Sequence, residues 1–275
     1  MNLYEIIIFG LLFIYVGIKI KEKYSKESFH SNMNHYKNAK TYKDIYDDFY
    51  SFIYDDLFYQ KNYYLQICNV LLKYQNNVYN NHLCIGIKHG GHMNQLLKKN
   101  MKTTSISRSP AIIRLCKYKY RDNDYQYFPN VESNAYIFDD HTFTHISLLD
   151  NELYYTKNLH GLLYNCSKWI ILKGYILIQC YANKESLKNS FLKIGENSTL
   201  RFHNPYTHSF KESNHDNSLT LTESLKDHNK ERKNFHTLYY YSPDAIKSIA
   251  NEYDFKVREN YLISKHESIL VLQKL

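Results

Sequence analysis

From Tyr46 onward the apolar positions switch between helical spacing and short strand-like runs, the pattern of an α/β domain built from βαβ units. Between Tyr46 and Tyr74 the apolar residues recur at helical spacing, which predicts two helices ahead of the sheet. His82–Ile87 reads as a short apolar strand running into a glycine-bearing turn, and Met93–Lys99 as the start of a helix. Thr103–Ser107, Tyr125–Phe128 and Phe143–Leu149 predict further strands, with Pro110 in the first turn of an intervening helix, where proline is tolerated. Leu159–Trp169 is helical, and Gly174–Cys180 is a strongly apolar buried strand. The polar, weakly patterned stretch from Asn183 to Lys233 predicts an insertion, spanning about 183–240, with a few short strands. Ser242 caps a helix over Pro243–Tyr253, and Phe255–Leu262 with Ser268–Gln273 close the chain as an antiparallel pair at the sheet edge.

The amino terminus follows a different pattern. Leu3–Ile20 is apolar apart from Glu5 and Lys19, and as a helix it spans roughly 27 Å at ~1.5 Å per residue, enough for a bilayer core. Residues 1–21 therefore read as a transmembrane anchor, with Glu5 and Lys19 at the interfaces. Lys19, Lys21, Lys23 and Lys26 follow the apolar run, whereas a secretory signal places its basic residues before it. The positive-inside rule then puts a single-pass protein's carboxy-terminal domain in the cytosol. The other reading is an apolar helix packed on the domain or lying in the interface. Residues 22–43 are a basic, polar tether, and 44–275 form the folded domain.

Charge and composition narrow the partners. Of the net +8, most lies between Lys19 and Lys43, where seven lysines face Glu22 and Glu27. A nucleic-acid-binding face needs its basic cluster on the domain, so the expected partners are a membrane and a small-molecule or lipid-proximal substrate. The five cysteines lack any Cys-x-x-Cys pair, which argues for reduced thiols and against zinc. The chain has 29 Tyr but only 8 Gly and 4 Pro, a bias of AT-rich coding sequence such as large DNA viruses, protists and some bacteria carry. Aromatic richness alone is therefore no sign of a binding surface.

Several segments, in order, resemble the class I S-adenosylmethionine-dependent methyltransferases of small-molecule type over about Tyr46–Leu275. Residues 46–58 resemble the leading helix. Leu83-Cys84-Ile85-Gly86-Ile87-Lys88-His89-Gly90-Gly91-His92 stands where that family has a glycine-rich loop, commonly Leu-Asp-Ile-Gly-Cys-Gly-Thr-Gly-Gly-His. Phe143-Thr144-His145-Ile146 resembles the fourth strand, and Asn165–Trp169 with Lys173-Gly174-Tyr175 the helix and turn before the fifth. The resemblance implies a Rossmann-like seven-stranded sheet and S-adenosylmethionine held by Ile85, Gly86, Lys88, Gly90, Ser107 and Asn130. Glycines there let backbone N–H groups approach a ligand closely. The motif is eroded: Lys88 replaces the middle glycine, Cys84 the strand's Asp, Ser107 the acid that bonds the ribose, and Asn130 the acid facing adenine.

Methyl transfer needs alignment more than acid–base groups, and a base only where the nucleophile must lose a proton. Asp150 and Tyr154, followed by Tyr155, lie after the fourth strand and are the candidate catalytic residues; a helix cap is the competing role for Asp150 and a core position for His145. His89 and His92 lack ligand-spaced partners for a metal. Asn204-Pro205-Tyr206 is misplaced for an amino-methylating motif, and Arg232–His236 reads as pocket lining or as a solvated basic turn. Two functions remain open: a membrane-anchored methyltransferase of unknown acceptor, or a catalytically silent domain of that kind used for binding or scaffolding.

Overall fold

The computed structural model describes residues 10–19, 38–58, 61–75, 79–88, 90–196, 207–215, 218–227 and 230–275. Its elements, in chain order, are β1 (Asn38–Ala39), α1 (Tyr42–Ile45), α2 (Asp48–Phe58), α3 (Lys61–Lys73), β2 (Asn81–Ile85), α4 (Gly91–Leu97), β3 (Lys102–Ser107), α5 (Pro110–Lys119) and β4 (Asp124–Tyr127). There follow β5 (Phe143–Leu148), α6 (Leu159–Trp169), β6 (Ile170–Tyr181), α7 (Lys184–Glu196), β7 (Thr207–His215), β8 (Ser218–Asp227), β9 (Lys230–Tyr239), α8 (Pro243–Glu252), β10 (Phe255–Leu262) and β11 (Glu267–Lys274).

Seven strands form the main sheet in the order β10-β11-β6-β5-β2-β3-β4. The pairs from β6 through β4 are parallel, and β11 pairs antiparallel with both β6 and β10. The interior strands are covered on both faces, so β2 and β5 are buried at every position, as parallel strands under helices must be. Polar residues in them are paired internally: His82 Nε2 lies 2.8 Å from the Ser147 hydroxyl, and His145 bonds Thr144 and the Tyr74 carbonyl. His145 is thus a core histidine. Because the chain leaves β2 toward β3 on one side and β5 lies on the other, a crevice opens at the carboxyl ends of β2 and β5.

Helix signals in the sequence match local chemistry. Ser109 and Ser242 accept from the N–H of Ile112 and Ala245, with Pro110 and Pro243 in the first turns. Tyr42, Tyr46, Tyr50, Tyr54 and Phe58 repeat at i, i+4 and stack along α1 and α2, with ring centroids 4.5, 5.5, 6.1 and 4.4 Å apart.

Three expectations change. The stretch after β6 holds no scatter of short strands: it forms α7 and then β7, β8 and β9, of 9, 10 and 10 residues, which with β1 make a second sheet ordered β1-β9-β8-β7. Arg232–His236 lies within β9 and is no solvated turn; Arg232 is fully buried, bonding Asp47 at 2.8 Å, Asn234 at 2.8 Å and the Ile45 carbonyl at 2.9 Å. A buried guanidinium is retained only when its donors are matched in this way, so weak hydrophobic patterning concealed a strand whose polar residues face inward. The expected turn at Lys173 and Gly174 is present as a bulge within the bounds of β6, where Lys173 takes φ +63° and the β5 pairing skips from Phe143–Ile170 to His145–Tyr175. At the amino terminus residues 10–19 are helical with Leu11, Phe13 and Ile14 exposed, and among the described residues no helix is long and apolar enough to cross a membrane. The remainder of Leu3–Ile20 lies outside the described residues.

Candidate active site

The crevice is shaped by a glycine turn at the end of β2. Gly86 and Gly90 take φ of +83° and +74°, values that favour glycine, and Gly86 N–H donates to the Ile106 carbonyl at 2.9 Å, tying the turn to β3. Ile85, the last residue of β2, is buried beneath it. A Cβ added at Gly86 would fall on the side chain of Glu152. The space that a glycine-rich loop keeps open for a ligand is here filled by a carboxylate of the same chain.

Glu152 begins a short 3₁₀ turn, Glu152–Tyr155, after β5. It is 1% exposed, and Arg108 Nε donates to it at 2.8 Å. Arg108 follows directly on Ser107 and reaches Glu132 at 3.2 Å and the Thr156 hydroxyl at 2.8 Å. The Tyr42 hydroxyl donates to the other Glu152 oxygen at 3.0 Å. Burial, then the Glu152 charge, push the Tyr42 pKa well above its ordinary value, so Tyr42 stays a donor.

Lys88 turns inward. It is 1% exposed, donates to the Asp150 carbonyl, and lies 5.2 and 4.8 Å from the ring centroids of Tyr46 and Tyr155. Burial pushes its pKa down to about 8, against the pull of Glu152 and Asp150. Tyr155 continues the polar chain, its hydroxyl 2.6 Å from His236 Nδ1, while His236 Nε2 lies 3.2 Å from Glu223. Glu223 in turn accepts from Tyr50 at 2.9 Å and from Asn234 at 2.7 Å. The crevice is therefore closed by α1 and α2 above the sheet and by β8 and β9 at the side, joined through one buried network.

The residues anticipated for the site separate into groups. Ile85, Gly86, Lys88 and Gly90 share the β2 turn. Ser107 is buried beside it, its hydroxyl accepting from Ser109 N–H at 3.2 Å, so it shapes the β3–α5 turn and Arg108 makes the reach across the crevice. Asn130 is exposed ahead of the 3₁₀ turn Val131–Ser133, outside the cluster. Asp150 caps no helix: with φ +52° its carboxylate accepts from the Tyr64 hydroxyl at 2.8 Å, adds to the pull on Lys88 and lines a cavity beside the crevice. Tyr154 is fully buried, stacks on Tyr240 and accepts from Tyr181 N–H at 2.9 Å, a packing role imposed by its position on the inner side of the turn. Arg108, Glu152 and Tyr42 went unanticipated. The one available signal was Glu152 as a second carboxylate two positions after Asp150, following β5.

The sheet order, with one antiparallel strand beside the edge, is that of the class I S-adenosylmethionine-dependent methyltransferases, and comparison with solved structures agrees. An amino pentose methyltransferase of calicheamicin biosynthesis from Micromonospora echinaspora, with S-adenosylmethionine bound, superposes with TM-score 0.60 at 10% identity, covering 82% of this chain and 96% of its own. A methyltransferase from Clostridium acetobutylicum gives 0.59 at 13% identity, covering 82% and 97%. The CcbJ methyltransferase from Streptomyces caelestis gives 0.60 at 12% identity, covering 83% and 97%. No family model matches the chain, and no curated protein matches it in sequence. The likeness defines the fold.

The backbone turn fits that cofactor, and the side chains, as arranged, close it. The positive-φ glycine turn at a switch-point crevice is a suitable cradle, but Glu152 occupies the front of Gly86 and Lys88 and Arg108 fill the flanks.

Lys88 supplies a pH test. Unfolded, its pKa is the ordinary 10.5; folded, it is about 8, so below about pH 8 the fold carries the full cost of a buried ammonium. That cost is relieved as pH rises through the folded value, because the unfolded chain then binds more protons. Stability to urea should rise between about pH 8 and 9.5, and the rise should be absent in Lys88→Met. Parallel pH profiles for the two proteins would contradict this account.

Proposed function

We propose that the chain is an S-adenosylmethionine-dependent methyltransferase of small-molecule type, tethered to a membrane, whose cofactor crevice is latched shut by Glu152. The observation that carries this reading is the Gly86 turn at the switch point of a methyltransferase sheet, closed from within by the Arg108–Glu152 pair. Ile85, Gly86 and Gly90 supply the backbone cradle; Lys88, Ser107 and Arg108 flank it. When bound, the cofactor would supply the methyl group; the chain's own part is to bind, orient and exclude water.

Admission requires Glu152 to leave Gly86, which breaks its pair with Arg108 and leaves Arg108 to Glu132 and Thr156. Breaking a buried ion pair costs about 3–5 kcal/mol, equivalent to a loss of affinity on the order of a hundredfold or more. The second reading, a catalytically silent domain kept for binding at a membrane, is favoured by the same filled crevice if Glu152 never yields. The tether rests on the exposed apolar helix of residues 10–19 and the lysines that follow.

Calorimetry separates the readings on the full chain in detergent. S-adenosylmethionine should bind weakly to the parent and about tenfold or more tighter to Arg108→Gln/Glu152→Ala, which removes both charges together. Tight binding by the parent, unchanged in the double variant, would dispose of the latch; no binding by either folded protein would establish the silent domain. For the tether, alkaline carbonate extraction should leave the chain in the membrane pellet, and release into the supernatant would refute it.

A further inference from the structure

Beside the latched crevice, at the carboxyl ends of β5 and β6, lies a cavity of about 360 Å³ open to solvent, within the size range of small-molecule sites. Its walls carry five aromatic rings, those of Tyr54, Phe58, Tyr63, Tyr64 and Tyr181. Among its described lining residues the charged groups are two carboxylates, Asp150 and Glu267, with no Lys, Arg or His.

Both carboxylates are held in place. Asp150 accepts from Tyr64 at 2.8 Å, and Glu267 accepts from Tyr63 at 2.7 Å and from Gln179 Nε2 at 2.8 Å. The Tyr64 ring is itself fixed by stacking on His92, with centroids 5.7 Å apart and planes 12° from parallel. These bonds fix the orientation of both carboxylates at the cavity wall. The arrangement selects by charge and by shape. Two negative charges repel an anion, and no described cation lines the cavity to receive a phosphate. A hard metal ion needs six or more oxygen ligands, and among the described residues no group of three or more His, Cys, Asp or Glu is placed to hold a metal. Aromatic walls with carboxylates instead suit a cation that is itself partly apolar, drawn to the faces of the rings.

We propose that this cavity binds a small organic ammonium ion, its charge met by Asp150 and Glu267 and its alkyl groups by the tyrosine and phenylalanine rings. Binding is inferred from the cavity alone; only its description as the acceptor end of a methyltransferase rests on the function proposed above.

Choline and its uncharged carbon isostere 3,3-dimethylbutan-1-ol, titrated calorimetrically against the full chain in detergent without S-adenosylmethionine, test this directly. Choline should bind about tenfold or more tighter than the isostere. Asp150→Asn and Glu267→Gln, which keep an acceptor for the tyrosine hydroxyls, should each erase most of that preference while the melting temperature shows the fold retained. Equal binding of the two probes, or no binding of choline to the folded parent, overturns the proposal. Because no cofactor is present, either result leaves the methyltransferase reading to its own test.

Discussion

The contact between Arg108 and Glu152, buried across the mouth of the β2 turn, is the constraint on which the site depends. Two charges inside a protein persist only when paired and hydrogen-bonded, and here each has its partners: Thr156 and Glu132 for Arg108, Tyr42 for Glu152. The pair joins the ends of β3 and β5 across the place where β2 turns away. Whatever binds in front of Gly86 must displace it, so ligand affinity and the local integrity of the fold are coupled through one ion pair.

That pair belongs to a wider polar layer between the sheet, the amino-terminal helices and the second sheet. Hydrogen bonds link Tyr46, Tyr155, His236 and Glu223 in sequence, and from Glu223 they branch to Tyr50 and, through Asn234 and Arg232, to Asp47. Such a layer is exacting: satisfied, it fixes a single arrangement; deprived of one member, it leaves a buried donor or acceptor costing about 1–3 kcal/mol. Lys88 sits against it over two tyrosine rings, which is how a residue at a glycine position is accommodated. The cavity bearing Asp150 and Glu267 lies beside this layer, joined to it where Lys88 donates to the Asp150 carbonyl.

Much of the fold was legible because strand and helix signals are local. Alternating apolar runs located β2 through β6 to within a few residues, the Ser-Pro pairs marked the starts of α5 and α8, and the closing hairpin was evident from its composition. The second sheet was hidden because its strands carry Glu223, Arg232, Asn234 and His236 inward, so burial there follows polar complementarity. The glycine turn was legible from its motif. The latch was not, since Arg108 and Glu152 lie 44 positions apart and meet only through the β3–β2–β5 order. Asp150 was noticed for its place after the fourth strand, but no local pattern shows that its carboxylate faces Tyr64.

The central claim is that Arg108 and Glu152 stabilise each other as a buried pair. A double-mutant cycle with Arg108→Leu, Glu152→Leu and the combination, read by urea unfolding, measures this directly. Arg108→Leu should lose about 3–5 kcal/mol by leaving Glu152 uncompensated, Glu152→Leu less because Arg108 keeps Glu132, and the double variant should recover about 2 kcal/mol or more of their sum. Losses that simply add, with no coupling, would mean that the two groups do not meet in front of Gly86.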